Sequence, residues 1–118
     1  MPLVSGAHVM IFTRDEDADR AFLRDVLEIP CIDSGGGWLI FKLPPAELGV
    51  HGGDRNDLHE LYLMCDDIEA TVTELEARGA EFSGPPEDLG FGIAASLKLP
   101  GAGEMLVYQP RHPEAHSL

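Results

Sequence analysis

The sequence predicts an α+β fold made of two modules in the same order: strand, helix, strand, strand, strand. Three observations carry this prediction. Short apolar runs bounded by glycine and proline read as strands, and two longer stretches space their apolar residues at helical period behind an acidic start. Sliding the chain by 52 residues superposes Asp15 on Asp67 and His8 on Glu60, with the first strand and helix of each half in step. At 118 residues the chain fits one domain. We place it at residues 1–113, with modules at about 6–53 and 57–110 and a short tail at 114–118.

The first element is "GAHVMIFTRD", whose β-branched run predicts a strand over residues 7–13. Alternation places His8, Met10 and Phe12 on one face, and Val9, Ile11 and Thr13 on the other. "DEDADRAFLRDVLEIP" follows as an amphipathic helix, with Ala18, Phe22 and Val26 four apart and Pro30 beyond its end. "CIDSGGGWLIFKLPPAELGVHGGD" is cut by Gly35 to Gly37, Pro44 with Pro45, and Gly52 with Gly53, which predicts strands at about 30–33, 37–43 and 46–51. The second half repeats the order. "LHELYLMCDD" is a strand, and "DIEATVTELEARGAEF" is a helix turning Ile68, Val72 and Leu75 inward and stopping at Gly79. Strands follow near 80–83, 91–99 and 103–109, separated by "GPPEDLG" and "PGAG".

Composition narrows the function classes. Eight Lys plus Arg against 21 Asp plus Glu give a formal charge of −13, which repels phosphate backbones and anionic lipid surfaces. Nucleic acid and membrane are therefore not expected partners, whereas a cationic ligand would be attracted. No run approaches the ~20 apolar residues of a membrane span, and the N-terminal stretch lacks a leader pattern, so a cytoplasmic protein is expected. Cys31 and Cys65, the only cysteines, lack zinc-finger spacing and read as reduced core thiols. The glycine clusters read as tight turns, since neither a Gly-x-Gly-x-x-Gly nor a Gly-Lys-Ser/Thr element occurs.

"GAHVMIFTRDEDADRAFLRDVLEIP", "ELYLMCDDIEATVTELEARGAEF" and the closing "LPGAGEMLVYQP", in this order, resemble the vicinal oxygen chelate superfamily. That superfamily includes glyoxalase, the bleomycin resistance proteins, fosfomycin-modifying enzymes and extradiol dioxygenases. The resemblance covers nearly the whole chain. It implies modules curled into half-open barrel sheets with helices outside, a shared cavity, and a homodimer. Metal ligands in the family come from the first and last strands of the modules, and the first-strand positions fall here on His8 and Glu60. The last-strand positions fall on Leu106 and Gly49, which offer no ligand; Glu104 or His51, two residues away on the same faces, could complete a divalent site.

Each residue keeps a plainer reading beside this one. A histidine on an apolar face is commonly a hydrogen-bonded cavity residue, and a glutamate at a strand end can simply reach solvent. If buried, Glu60 needs a metal, a cation or a donor, and could act as a catalytic base beside a substrate carbonyl. His59 has opposite parity and reads as peripheral. By parity Phe12, Trp38, Tyr62, Met64, Leu106 and Tyr108 line the cavity, as ligand wall or as packing. "RHPEAHSL" reads as a short tail, from which Arg111 or His112 could fold back over the cavity or onto a partner. Two functions follow. One is a metal-dependent lyase, isomerase or oxygenase using His8, Glu60 and Glu104 on a small oxygenated molecule. The other is a metal-free sequestering protein of the bleomycin-binding kind.

Overall fold

The computed structural model describes residues 8–118. Residue 7 of the first expected strand, and the expected module start at residue 6, lie outside the described residues. Helix α1 spans Glu16–Asp25 and α2 spans Ile68–Ala77. Their start signals are the same. The Asp15 carboxylate accepts from Ala18 N at 3.2 Å and the Asp67 carboxylate from Ala70 N at 3.1 Å, so the residues that superpose in the repeat are the two N-caps. Gly79, at φ 91°, ends α2 as expected, and Ala80 N closes the turn onto Leu75 O at 2.9 Å.

Strands β1 (Cys31–Asp33) and β2 (Leu39–Phe41) form an antiparallel pair. The "GGG" segment turns between them with positive φ at Gly35, Gly36 and Gly37, while the Asp33 carboxylate accepts from Gly35 N at 2.8 Å. A second sheet contains β3 (Tyr62–Met64), β4 (Glu87–Asp88), β5 (Gly92–Leu99) and β6 (Gly103–Pro110), in the order β3-β6-β5-β4. β3 runs parallel to β6, and β5 pairs with β6 over eight registered positions from Gly92 with Pro110 to Leu99 with Gly103.

Four strand expectations are corrected. Residues 8–13 and 46–51 form no strand, because apolar side chains alone do not make one when no neighbouring backbone supplies the ladder. Residues 80–83 contribute a single bridge, Phe82 with Leu97. "GPPEDLG" contains the edge strand β4, whose Glu87 and Asp88 are exposed charges of the kind that keep a sheet edge from adding further strands.

Both helices cover the same face of the four-stranded sheet. Ile68 and Leu75 of α2 meet Ala95 and Leu97 of β5 and Val107 of β6, and Phe22, Val26 and Leu27 from the α1 region pack against this cluster. Leu97 is sealed from solvent, which is worth roughly 1.5–3 kcal/mol for a side chain of this kind. The α1 helix thus serves the core of the second module. Arg78 tightens the joint by donating to Val26 O at 2.9 Å and pairing with Glu28 at 3.0 Å. At the β5–β6 turn, Gly101 N donates to the Asp19 carboxylate at 2.9 Å; Asp19 is the one buried charged residue among those described.

Candidate functional site

Register and parity build the face of the sheet that the helices leave uncovered. Met64 is level with Tyr108 and Tyr108 with Ala94, forming one row across β3, β6 and β5. Tyr62, Leu106 and Ser96 form the next. The expected cavity set Tyr62, Met64, Leu106 and Tyr108 therefore shares one face. A hollow of about 240 Å³ continues it toward the edge, between Ser83, Pro85, Leu89 and Leu106.

Aromatic rings dominate this surface. Tyr62 meets Tyr108 edge-on at 6.3 Å, and Phe91 meets Tyr108 edge-on at 5.2 Å, both favourable for ring quadrupoles. Tyr62 Oη donates to the Glu60 carboxylate at 2.7 Å, and this hydrogen bond, followed by burial, raises the Tyr62 pKa. Burial first, and then the charges of Glu47 and Glu114, raise that of Tyr108. Both phenols are held in their neutral, donor-bearing form.

The C-terminal segment completes the surround. His112 Nδ1 faces the Pro113 carbonyl at 2.8 Å and must donate to it, so in the neutral ring Nε2 accepts from Tyr108 Oη at 3.0 Å. Arg111 is fixed by Asp88 and by its own N–H to Phe91 O. The Glu47 carboxylate accepts from the backbone N–H groups of Ala115 and His116.

The remaining expected site residues are placed elsewhere. His8 and Phe12 are exposed, Phe12 at 87%. Trp38 lies under the Arg20 guanidinium of α1 at 5.8 Å and is half exposed. His51 is exposed and donates through Nδ1 to Gly52 O. Glu104 is exposed opposite Lys98, and His59 is exposed. Among the described residues no three His, Cys, Asp or Glu side chains gather closely enough to hold a metal ion, so His8, Glu60 and Glu104 do not form such a set within one chain. Phe91 and Asp88 were not anticipated as parts of this surround, and Glu47, which flanks Gly49 as a candidate ligand in the sequence, instead meets the C-terminal backbone across 68 residues of chain. Phe91 was expected inside the strand at 91–99, but β5 begins at Gly92.

The α+β fold, two helices on mixed and antiparallel sheets, is that of the glyoxalase/bleomycin resistance protein/dioxygenase superfamily. Three solved structures show the likeness. TnmS3, an antibiotic binding protein from Streptomyces sp. CB03234, matches with a TM-score of 0.66 and 19% identity over 93% of this chain and 99% of its own. Lactoylglutathione lyase from Agrobacterium tumefaciens matches at 0.64 and 16% identity, over 92% of this chain and 96% of its own. A superfamily member from Sphaerobacter thermophilus DSM 20745 matches at 0.62 and 19% identity, over 92% and 99%. No protein-family model and no curated protein matches the chain. No helix among the described residues is long and apolar enough to cross a membrane.

Proposed function

We propose that the protein binds and sequesters a small cationic molecule with a planar or apolar body on the sheet face formed by Tyr62, Met64, Phe91, Leu106 and Tyr108. One observation carries this reading: an edge-to-face aromatic group stands beside Glu60, whose carboxylate is positioned by Tyr62. Rings offer dispersion and cation–π attraction, and the carboxylate offers a counter-charge. The net charge of −13 draws the same class of ligand from solution. An antibiotic binding protein shares this fold at 19% identity, so the fold is one on which ligand binding of this kind occurs.

A second copy of the chain belongs to this reading. Phe12, Leu48 and Val50 are 87%, 92% and 96% exposed. The chain presents 8876 Å² to solvent, against about 6,300 Å² for a compact monomer of 12.8 kDa. A homodimer covering residues 8–13 and 46–51 would bury part of that excess, including these three apolar side chains. The free thiols Cys31 and Cys65 suit the reducing cytoplasm.

Titration with a cationic planar dye, ethidium, tests the reading against an anionic dye of similar size. Saturable binding of the cation is expected, weakened about tenfold or more by Tyr62→Ala and by Glu60→Gln. Equal binding of both dyes, or of cation to the variants, defeats it. Metal content of protein purified without chelator decides the enzyme reading: stoichiometric metal lost in both His8→Ala and Glu60→Ala would replace sequestration by metal-dependent chemistry. Sedimentation of Phe12→Asp beside the parent checks the dimer, which the charge should dissociate.

A further inference from the structure

Tyr108 is only 8% exposed although it lies on the sheet face that neither helix covers. Phe91 and Tyr62 cover part of it, and the chain's own end covers its hydroxyl. After Arg111 is pinned to Asp88 and Phe91, the segment carries His112 onto the Tyr108 hydroxyl at 3.0 Å. It then reaches the first module, where Ala115 N and His116 N both donate to the same oxygen of Glu47, the latter at 3.2 Å. A turn closes the end, with Leu118 N on Ala115 O at 3.0 Å. His116 faces Glu114 at 3.0 Å, so within this segment its ring is turned to its own neighbour.

We propose that residues 112–116 form a strap latched by Glu47, and that beneath it Glu47 and Tyr108 make a latent subsite for the cationic group of the ligand, which must displace the strap to bind. The proposal rests on the sequestration reading above. Two features set it apart from a simple tail contact. The catch is a carboxylate that accepts from two backbone N–H groups, so a ligand ammonium can take over an interaction the strap already satisfies. The ring under the strap keeps its face and hydroxyl once His112 leaves, which supplies the aromatic partner that a desolvated cation prefers. The exchange favours the ligand electrostatically: the strap brings neutral N–H donors, and the ligand replaces them with a cation that neutralises the Glu47 carboxylate.

Amide hydrogen exchange in the full-length protein tests the latch without any ligand. Exchange at Ala115 and His116 should be protected in the parent and at least about tenfold faster in Glu47→Ala, with Glu74→Ala as a surface control that leaves it unchanged. Unprotected amides in the parent, or equal loosening by the control variant, would overturn the latch. Ethidium is then added to the parent and to a chain ending at Arg111. The expected results are faster exchange at both amides in the parent on dye binding, and several-fold tighter binding to the shortened chain. Equal affinity, or dye binding with the amides still protected, overturns the competition. Binding to neither chain defeats the sequestration reading and the subsite together, while the exchange result still decides the latch.

Discussion

The two halves of the chain differ in their elements and in what their apolar side chains touch. Among the described residues the first holds only α1, β1 and β2 while the second holds β3, α2, β4, β5 and β6, although the sequence predicts the same order in both. In the second, β5 and β6 pair over their whole length and seal Leu97 between α2 and the sheet. In the first, β1 and β2 are three-residue strands, while Leu48 and Val50 lie open to solvent. Pattern sets which side chains seek cover, and an uninterrupted partner strand decides which of them find it. Glycine and proline break the first half's run at Gly35 to Gly37, Pro44, Pro45, Gly52 and Gly53, whereas residues 104–109 contain neither. Its helix compensates by packing on the other module's sheet.

Substitutions on either side of this contrast should separate widely. Leu97→Ala is expected to cost about 2–5 kcal/mol in denaturant unfolding, and Leu48→Ala less than ~0.5 kcal/mol in dilute protein. Comparable losses would show that the first module is as well packed as the second. Glycines extend the test. A Cβ on Gly92 would stand 2.5 Å from Gln109 O and 2.7 Å from a Tyr108 ring carbon, whereas one on Gly49 meets nothing. Gly92→Ala should therefore lose about 1–3 kcal/mol, while Gly49→Ala changes stability by under ~1 kcal/mol, read as shifts in thermal midpoint.

Asp19 probes the joint between the halves. Removing its carboxylate in Asp19→Ala leaves Gly101 N–H without its acceptor, at an expected cost of about 1–2 kcal/mol measured by urea titration. The smallest effect is local and pH-dependent. Backbone donation from Ala115, and after it from His116, outweighs the opposing effect of burial and holds the Glu47 carboxyl below its ordinary range. A depressed carboxylate stabilises the fold above its unfolded pKa and loses that contribution as pH falls through the folded value. Acidification through and below the ordinary glutamate range should thus free the amides of Ala115 and His116 before the β5–β6 amides exchange; simultaneous release would contradict it.

Much of this was legible in the residues. Both helices follow from apolar spacing and their stop signals, and β5 and β6 from runs bounded by "GPPEDLG" and "PGAG", because these depend on neighbours in sequence. Parity also grouped Tyr62, Met64, Leu106 and Tyr108, since period two survives any error in strand ends. Pairing did not follow. Residues 8–13 and 46–51 have strand composition, but a ladder needs a second backbone that composition cannot specify. Glu47 and the C-terminal segment meet across a span no local pattern covers, and a two-residue edge such as Glu87–Asp88 is too short for periodicity to register.

The Arg78 contacts bear on how the chain unfolds. One guanidinium from the end of α2 holds the exit of α1 through Val26 O and Glu28, while Phe22, Val26 and Leu27 lie on the second module's core. The repeat boundary near residue 54 is therefore not a cooperative boundary. A fragment beginning there would expose Ile68 and Leu97 where α1 had been, and native-state proteolysis should spare the α1 region until the second sheet itself opens. The halves are similar as text and inseparable as folding units.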